Sequence, residues 1–202
     1  PSAEVNVYSD HTKITMAEGK NALVAFSDST LNIHGGLEVT AKDAILVRGQ
    51  STVNVNAAGE GVVKLDGNVN FNNQYGTGVH VGANNNVNIN MTTEDSYLNG
   101  AIYVTNSDIQ SIEKGDKVDG VEQTYRDVGV NGLDGMKLGM SNGATWNVTD
   151  DSFVNNLYGT DAKLTGEDVE VVVYNREDEA GVAVTNSKLD IAGVDLVIDT
   201  EK

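Results

Sequence analysis

The sequence predicts an all-β protein whose chain winds into a parallel β-helix, a β-solenoid of roughly nine or ten coils. Three observations carry this prediction. A frame of apolar-x-apolar, a polar turn and apolar-Asn-apolar recurs along the chain. The 22 glycines and the single proline suit many tight turns between short strands. Aromatic residues make up only 5% of the chain, so a narrow, aliphatic core is expected.

The chain opens with two short strands at residues 5–7 and 14–16, and residues 21–112 hold the clearest repeats. There the apolar-Asn-apolar element returns roughly every 20 residues, a step typical of β-solenoids. These elements begin at Leu31, Val53, Val69, Val87 and Ile109. Alternation with period two sends one set of side chains into the core. The residues predicted to point inward are Val24, Phe26, Val53, Val55, Val69, Phe71, Val87, Ile89, Trp146 and Val148.

Asparagine takes the outward position between two inward apolar residues at Asn32, Asn54, Asn70 and Asn88. If the coils stack in register, these side chains form an exposed column with a spacing of about 4.8 Å. Stacked amides that satisfy one another are one interpretation, and a glycan-binding strip is the other. Asn54, Asn70 and Asn88 are therefore a candidate binding surface. Asn56 follows at a strand exit, where asparagine tolerates a left-handed backbone.

Two regions depart from the alternation. Residues 113–135 are charged and irregular, which indicates a long surface excursion between coils; such loops often carry function. Tyr125 and Arg126 within it are the first candidate for partner contact, as an aromatic–cation pair. A solvated loop or an irregular coil is the alternative. The valine run 171–173 predicts a buried or terminal strand.

Residues 141–158 form the most distinctive unit, a short strand, a corner and a second short strand. Gly143 supplies a turn, after which Trp146 and Val148 share the inward parity of the first strand. The corner is rich in aspartate and serine, whose side chains bond to nearby backbone in turns. A unit this small buries little by itself, so it needs stacked neighbours.

The segment GATWNVTDDSFVNNL, residues 143–157, resembles a motif towards the C-terminal end of passenger domains of type V, pertactin-like autotransporters. The resemblance implies a right-handed, single-stranded β-helix, with residues 1–202 as one segment of a longer passenger domain. It also implies that this coil acts like an autochaperone, helping to nucleate folding after secretion. The residues expected to carry that role are Gly143, Trp146, Val148, Ser152, Val154 and Leu157.

Thirteen basic against thirty acidic residues give a formal net charge of −17. Nucleic acids and anionic membrane surfaces are recognised through basic patches, so this balance disfavours both as partners. The absence of cysteine excludes disulfides, thiol catalysis and cysteine-ligated metals. No apolar run reaches the roughly 18 residues of a helical membrane span. The resemblance implies membrane contact only through a C-terminal barrel, expected to lie outside this sequence.

No residue set predicts a catalytic centre, a metal site or a cofactor. A β-helix polysaccharide lyase or hydrolase needs convergent carboxylates beside arginine or lysine. Asp150-Asp151 is the one adjacent aspartate pair, and it lies in a predicted turn. His11, His34 and His80 lack a carboxylate pair at metal spacing and are predicted to be solvated surface residues.

The function predicted from these features is that of a non-catalytic, extracellular passenger segment at the surface of a Gram-negative bacterium. The expected activity is adhesion, with a host surface protein, a glycan or a neighbouring cell carrying the same protein as partner. A structural stalk that presents a distal domain is one alternative, since it needs the same long, cysteine-free scaffold. A polysaccharide lyase or hydrolase is the other.

Overall fold

A computed structural model of the chain describes residues 2–73, 85–106, 117–118, 121–122, 135–174, 184–186 and 189–199. The described residues form strands joined by turns and bends, with no helix among them. The strands are β1 (Glu4–Thr15), β2 (Asn21–Phe26), β3 (Thr30–Arg48), β4 (Thr52–Val55), β5 (Val63–Asn73), β6 (Asn86–Met91), β7 (Tyr97–Asn99), β8 (Ile102–Asn106), β9 (Lys117–Val118), β10 (Val121–Glu122), β11 (Gly135–Ser141), β12 (Thr145–Asn147), β13 (Ser152–Val154), β14 (Asn156–Thr160), β15 (Ala162–Tyr174), β16 (Val184–Asn186) and β17 (Leu189–Asp199).

Parallel pairing arranges all of these strands except β9 and β10 in three columns, and the long strands β1, β3, β5, β15 and β17 contribute to more than one. The first column runs through the start of β1, the start of β3, then β4, β6, β11, β14 and β16. The second runs through the end of β1, the middle of β3, the start of β5, then β7, β12 and the starts of β15 and β17. The third holds β2, the ends of β3 and β5, and β8, then β13 and the ends of β15 and β17. This parallel sheet nearly closes around an axis, which confirms the prediction of an all-β, solenoid-like fold.

Alternation along the strands places apolar side chains in a continuous core inside the columns. Eight of the ten residues predicted to point inward are buried, so the period-two pattern identifies the core face of most strands. They are Val53, Val55, Val69, Phe71, Val87, Ile89, Trp146 and Val148. The valine run Val171-Val172-Val173 is also buried throughout, as its lack of alternation predicts.

The prediction was wrong for β2, whose other set of side chains faces the core. Val24 is 42% exposed and Phe26 is 50% exposed, whereas Leu23 and Ala25 are buried. The register explains the difference, because Leu23 and Ala25 pair with buried residues of β3 while Phe26 pairs with Arg48. Both sets of β2 side chains are apolar, so the neighbouring strand decides which set is buried.

The predicted order of stacking was also wrong at Val69. Leu31, Val53 and Val87 stack in the first column, but Val69 pairs with Ile45 and Ile102 in the third. The apolar-Asn-apolar frame occurs in both the first and the third column. Its spacing along the sequence therefore combines members of two different stacks of strands. In the first column, Asn54 lies 22 residues after Asn32 and Asn88 lies 34 residues after Asn54, and each is hydrogen-bonded to the asparagine before it.

Asn56 follows β4 in the left-handed conformation expected of it, with a φ of 52°. Its side chain is fully buried and closes the following turn. Nδ2 donates to the carbonyl oxygens of Gly61 and Asn90, each at 2.9 Å, and Oδ1 accepts from the Gly61 N–H at 2.9 Å. The Asn56 amide thus hydrogen-bonds to backbone groups of its own coil and of the next coil. These bonds fix the distance between the corners of the two coils.

Within residues 113–135, the structure describes β9, β10 and Gly135. β9 and β10 pair antiparallel, with Val121 opposite Val118, and so differ from the parallel columns. The predicted contact pair, Tyr125 and Arg126, lies outside the described residues, as does His80. Among the described residues, none belongs to a helix long and apolar enough to cross a membrane.

Candidate functional site

A ladder of asparagine amides runs across the first column. Nδ2 of Asn32 donates to Oδ1 of Asn6 at 2.9 Å, and Nδ2 of Asn54 donates to Oδ1 of Asn32 at 2.8 Å. Nδ2 of Asn88 donates to Oδ1 of Asn54 at 2.7 Å. We call Asn6, Asn32, Asn54 and Asn88 the amide ladder. Two of the three predicted binding asparagines, Asn54 and Asn88, belong to it, and Asn6 was not predicted.

The amide ladder is polarised in one direction. Each Nδ2 donates towards the N-terminal end of the stack, where Oε1 of Glu4 accepts from Asn6 at 3.2 Å and from Asn32 at 3.3 Å. At the opposite end, Lys137 is in register with Asn88. The amide dipoles therefore point their N–H ends at a carboxylate, and aligned amides in a chain strengthen one another.

The surface around this ladder is polar but almost free of charge. It consists of the outward residues of the first four strand segments in the column, which we call the amide face: Glu4, Asn6, Tyr8, Thr30, Asn32, His34, Thr52, Asn54, Asn86, Asn88 and Asn90. This set holds one carboxylate and neither lysine nor arginine, on a chain of net charge −17. Long-range repulsion of an acidic partner is therefore weaker here than the net charge alone suggests.

An aromatic pair borders the amide face where β1 and β3 turn into the second column. The rings of Tyr8 and His34 are stacked, with centroids 4.3 Å apart and planes 6° from parallel. His34 Nε2 lies 3.3 Å from Oδ1 of Asn6, so the pair is joined to the amide ladder. Tyr8 is 77% exposed, which leaves most of its ring available to a partner.

Asn70 does not belong to the exposed column, contrary to the sequence prediction. It lies in the third column and is only 5% exposed. Its Nδ2 donates to Oδ2 of Asp43 at 3.0 Å, and its Oδ1 accepts from Thr105 Oγ1 at 2.7 Å. The Tyr103 hydroxyl donates to the other oxygen of Asp43 at 2.8 Å, and burial followed by this hydrogen bond raises the pKa of Tyr103. Asn70 is therefore part of a buried polar network and is not available to a ligand.

A further polar ladder crosses the second column. Thr165 Oγ1 donates to Oδ1 of Asn147 at 3.3 Å, and Nδ2 of Asn147 donates to Oδ1 of Asn99 at 2.8 Å. Nδ2 of Asn99 then donates to Oδ1 of Asp66 at 3.2 Å, and the Tyr97 hydroxyl donates to Oδ2 of Asp66 at 2.8 Å. Like the amide ladder, this one donates towards the N-terminal coils and ends on a carboxylate.

The carboxylates that end these networks, Asp43 and Asp66, were missed from the sequence. Glu4 plays the same part in the amide ladder. A carboxylate is an acceptor-only group and a hydrogen bond to a charged group is stronger than one between neutral groups, so it suits the end of a row of donors. For Glu4 and Asp66 the signal in the sequence is an acidic residue at an outward strand position one coil before an asparagine, which can be recognised only when the register is known; Asp43 is buried and lacks this signal.

Tyr97 should ionise unusually late. Burial, the hydrogen bond to Asp66 and the charge of that carboxylate raise the pKa of Tyr97 to about 12. Because the folded state keeps a proton that the unfolded state loses near pH 10, stability is full below pH 10 and falls between about pH 10 and 12. Absorbance titration of tyrosinate should show a late step whose amplitude falls by one tyrosine in Tyr97→Phe, because Tyr103 also ionises late. Asp66→Asn should shift that step to lower pH, and an unchanged step would contradict the role of the carboxylate.

Trp146 is buried as predicted. Trp146 lies in β12 between Leu98 of β7 and Leu164 of β15, and all three side chains are inaccessible to solvent. Its indole N–H donates to the carbonyl oxygen of Gly100 at 2.9 Å. Gly143 makes the predicted turn with a φ of 87°.

The corner after Trp146 is fixed by its own polar side chains. Ser152 Oγ donates to the Asp150 carbonyl at 2.8 Å and accepts from the N–H of Ile102 at 3.0 Å, joining this coil to β8. Oδ1 of Asp151 accepts from the N–H of Glu170 at 2.8 Å. The aspartate pair therefore shapes a turn, as the sequence indicates. Other predicted members of this unit, Val148, Val154 and Leu157, are buried.

His11 lies beside a carboxylate and an ammonium group. His11 Nε2 is 3.7 Å from Oε2 of Glu38, and Lys13 pairs with the other oxygen of Glu38. The hydrogen bond from Lys13 lowers the pKa of Glu38. In the part of the chain that the structure describes, no three histidine or acidic side chains are grouped as ligands for a metal ion.

The amide ladder should contribute measurably to stability. In Asn54→Asp the side chain can still accept from Asn88 but can no longer donate to Asn32, and it brings a negative charge against the Asn32 carbonyl. We expect the free energy of unfolding in urea to fall by about 1–2 kcal/mol. Asn90→Asp is the matched control, because the Asn90 amide makes a longer bond of 3.3 Å to Ala57 outside the ladder. Equal losses in both variants would contradict the ladder.

Comparisons of this chain with protein-family models, with curated proteins and with solved structures find no match.

Proposed function

We propose that this chain is a non-catalytic segment of an autotransporter passenger domain that mediates adhesion to host or neighbouring cells. It would act outside the cell, either held at the outer membrane of a Gram-negative bacterium or released from it. The observation that carries the adhesive part of the proposal is the amide face. The resemblance of residues 143–157 to passenger domains carries the assignment to that class.

The amide face has the chemistry of a broad, reversible contact surface. Asn6, Asn54 and Asn88 each donate one N–H along the ladder and keep a second N–H for a partner, whereas Asn32 donates to both Asn6 and Glu4. These groups repeat at the strand spacing of about 4.8 Å, so many weak hydrogen bonds can form together. A host glycan, a host surface protein or a neighbouring copy of the chain fits this chemistry.

We further propose that the nearly closed sheet is a right-handed, single-stranded β-helix. The described residues contribute seven segments to the first column and seven to the second, so we assign seven coils to this part of the chain. A long solenoid of this kind offers an extended side face to a partner. An experimentally determined structure would test both the hand and the number of coils.

The adhesive role can be tested by displaying the segment on otherwise non-adherent cells. Binding to glycans, to matrix proteins and between cells would be scored together, with folding verified by circular dichroism. We expect at least one of these to rise above the level of cells without the segment. A folded segment that binds nothing would favour the stalk, and depolymerisation of an acidic polysaccharide would favour the enzyme.

A pair of charge variants locates the contact surface. Thr52→Arg places a large cation on the amide face, between Thr30 and Asn86 in the row beside the ladder, and should abolish adhesion. Thr40→Arg makes the same change at an exposed position of the second column and should leave adhesion intact. If a folded Thr52→Arg segment still adheres, the amide face is not the contact surface.

A further inference from the structure

An exposed apolar strip lies on the third column, away from the amide face. Val24 and Phe26 of β2 point outward and are 42% and 50% exposed. They are in register with Leu46 and Arg48 of β3. β2 pairs only with β3, so its other edge is not hydrogen-bonded to any described strand. We call Val24, Phe26 and Arg48 the Arg48 strip, with Leu46 buried beside them.

Arg48 is held in place by the phenylalanine ring. Its guanidinium carbon lies 5.3 Å from the centroid of the Phe26 ring, within cation–π range. Both ion pairs among the described residues involve Glu38, and neither involves Arg48. A guanidinium that rests against a ring keeps the fork of N–H donors at its edge, and that fork matches a carboxylate in two-point hydrogen bonding.

The charge around the Arg48 strip is compatible with an anionic ligand. The first 50 residues hold only six of the thirty acidic residues and four of the thirteen basic ones. Lys20 and Lys42 are exposed four residues before Val24 and Leu46, and Lys42 is about 20 Å along the strand from Arg48. Asp43 is buried and engaged by Tyr103 and Asn70, so its charge is already paired with donors.

We propose that the Arg48 strip binds a carboxylate-bearing sugar, a uronic acid residue within an acidic polysaccharide. Arg48 would bind the carboxylate with two parallel hydrogen bonds. The open side of Phe26 and the Val24 side chain would pack against the C–H face of the pyranose ring, a surface that an acidic peptide does not present. This site is separate from the amide face, so it does not depend on the adhesive function proposed for that face.

The test uses the purified chain and polygalacturonate oligomers in a calorimetric titration. Arg48→Gln should weaken binding about tenfold or more, because hydrogen bonds to a charged group are worth more than neutral ones. Arg48→Lys keeps the charge but loses the fork, and should fall between wild type and Arg48→Gln. Phe26→Ser should also weaken binding. Arg48 and Phe26 are both at least partly exposed, so the three variants should fold.

Matched controls separate this site from general charge attraction. Lys64→Gln removes one positive charge from the second column and should change the affinity less than twofold. The same oligomers with their carboxyl groups reduced to alcohols should bind at least tenfold more weakly. The proposal is overturned if wild type does not bind polygalacturonate, or if Lys64→Gln weakens binding as much as Arg48→Gln. Equal affinity for polyglutamate would assign the strip to acidic peptides instead.

Discussion

Replacing Trp146 with alanine should lower the free energy of unfolding by about 3–5 kcal/mol, because it removes the largest fully buried side chain. The change leaves a cavity between Leu98 and Leu164, the residues that pair with Trp146 on either side. It also leaves the Gly100 carbonyl oxygen without the indole N–H. Urea unfolding followed by circular dichroism measures the loss.

Two further variants keep this prediction testable if Trp146→Ala does not fold. Trp146→Phe retains most of the apolar volume but loses the N–H, so its stability should lie between wild type and Trp146→Ala. Tyr158→Ala removes an aromatic side chain that is 39% exposed and should cost less than about 1 kcal/mol. An unfolding free energy in Trp146→Ala equal to that of wild type would refute the structural role of this residue.

The resemblance to autotransporter passengers adds a kinetic expectation to the equilibrium one. Because each coil of a solenoid contacts only its neighbours, one stable coil can act as the template for the rest. Refolding from urea should therefore slow in Trp146→Ala and Trp146→Phe beyond any effect in Tyr158→Ala. If a Trp146 variant unfolds faster but refolds at the wild-type rate, Trp146 stabilises the folded protein but does not help to nucleate folding.

Replacing Gly100 with alanine should destabilise the protein by about 3 kcal/mol, the upper end of the usual cost of overpacking. A Cβ at this position would overlap the carbonyl group of Gly67 in the neighbouring coil. These are backbone atoms, so no side-chain rotation can relieve the contact. The corners of the two coils would have to move apart, which stretches the pairing of β5 with β7 and β8. Urea unfolding again measures the change.

Gly139→Ala is the matched control for this prediction. The atom closest to a Cβ at Gly139 is the Oδ1 of Asn90, the end of a side chain that can rotate aside. The cost there should stay below about 1 kcal/mol. Similar losses of unfolding free energy in Gly100→Ala and Gly139→Ala would show that contact with the neighbouring coil is not the reason that a Cβ at Gly100 is destabilising.

The effects of substitutions at Gly100 and Trp146 on stability should also be coupled. The Gly100 carbonyl accepts the indole N–H of Trp146, so a shift of one corner disturbs the same hydrogen bond that the tryptophan substitution removes. Variants that share a partner are usually non-additive. The double variant with Trp146→Phe should therefore lose less stability than the sum of the two single losses.

The sequence alone determined the class of fold and the most distinctive coil. Period-two alternation, many glycines and turn residues at regular intervals can be satisfied only by short stacked strands, whatever their partners are. The burial of Trp146 and of the valines at 171–173 follows from the same local patterns. The amide ladder at Asn32, Asn54 and Asn88 was also predictable, because stacking in register places equal side chains above one another.

Only the tertiary structure decided which strand stacks on which. In β2 both side-chain sets are apolar, so pairing with β3 selects Leu23 and Ala25 for the core and leaves Phe26 beside Arg48. Asn70 has the same local frame as Asn54, yet the third column places it against a buried aspartate. Local alternation records which side chains share a face of a strand, whereas the column and the neighbours of that face depend on loops of unequal length. Which carboxylate ends each ladder depends on the register between strands of successive coils. No pattern within a single strand specifies that register.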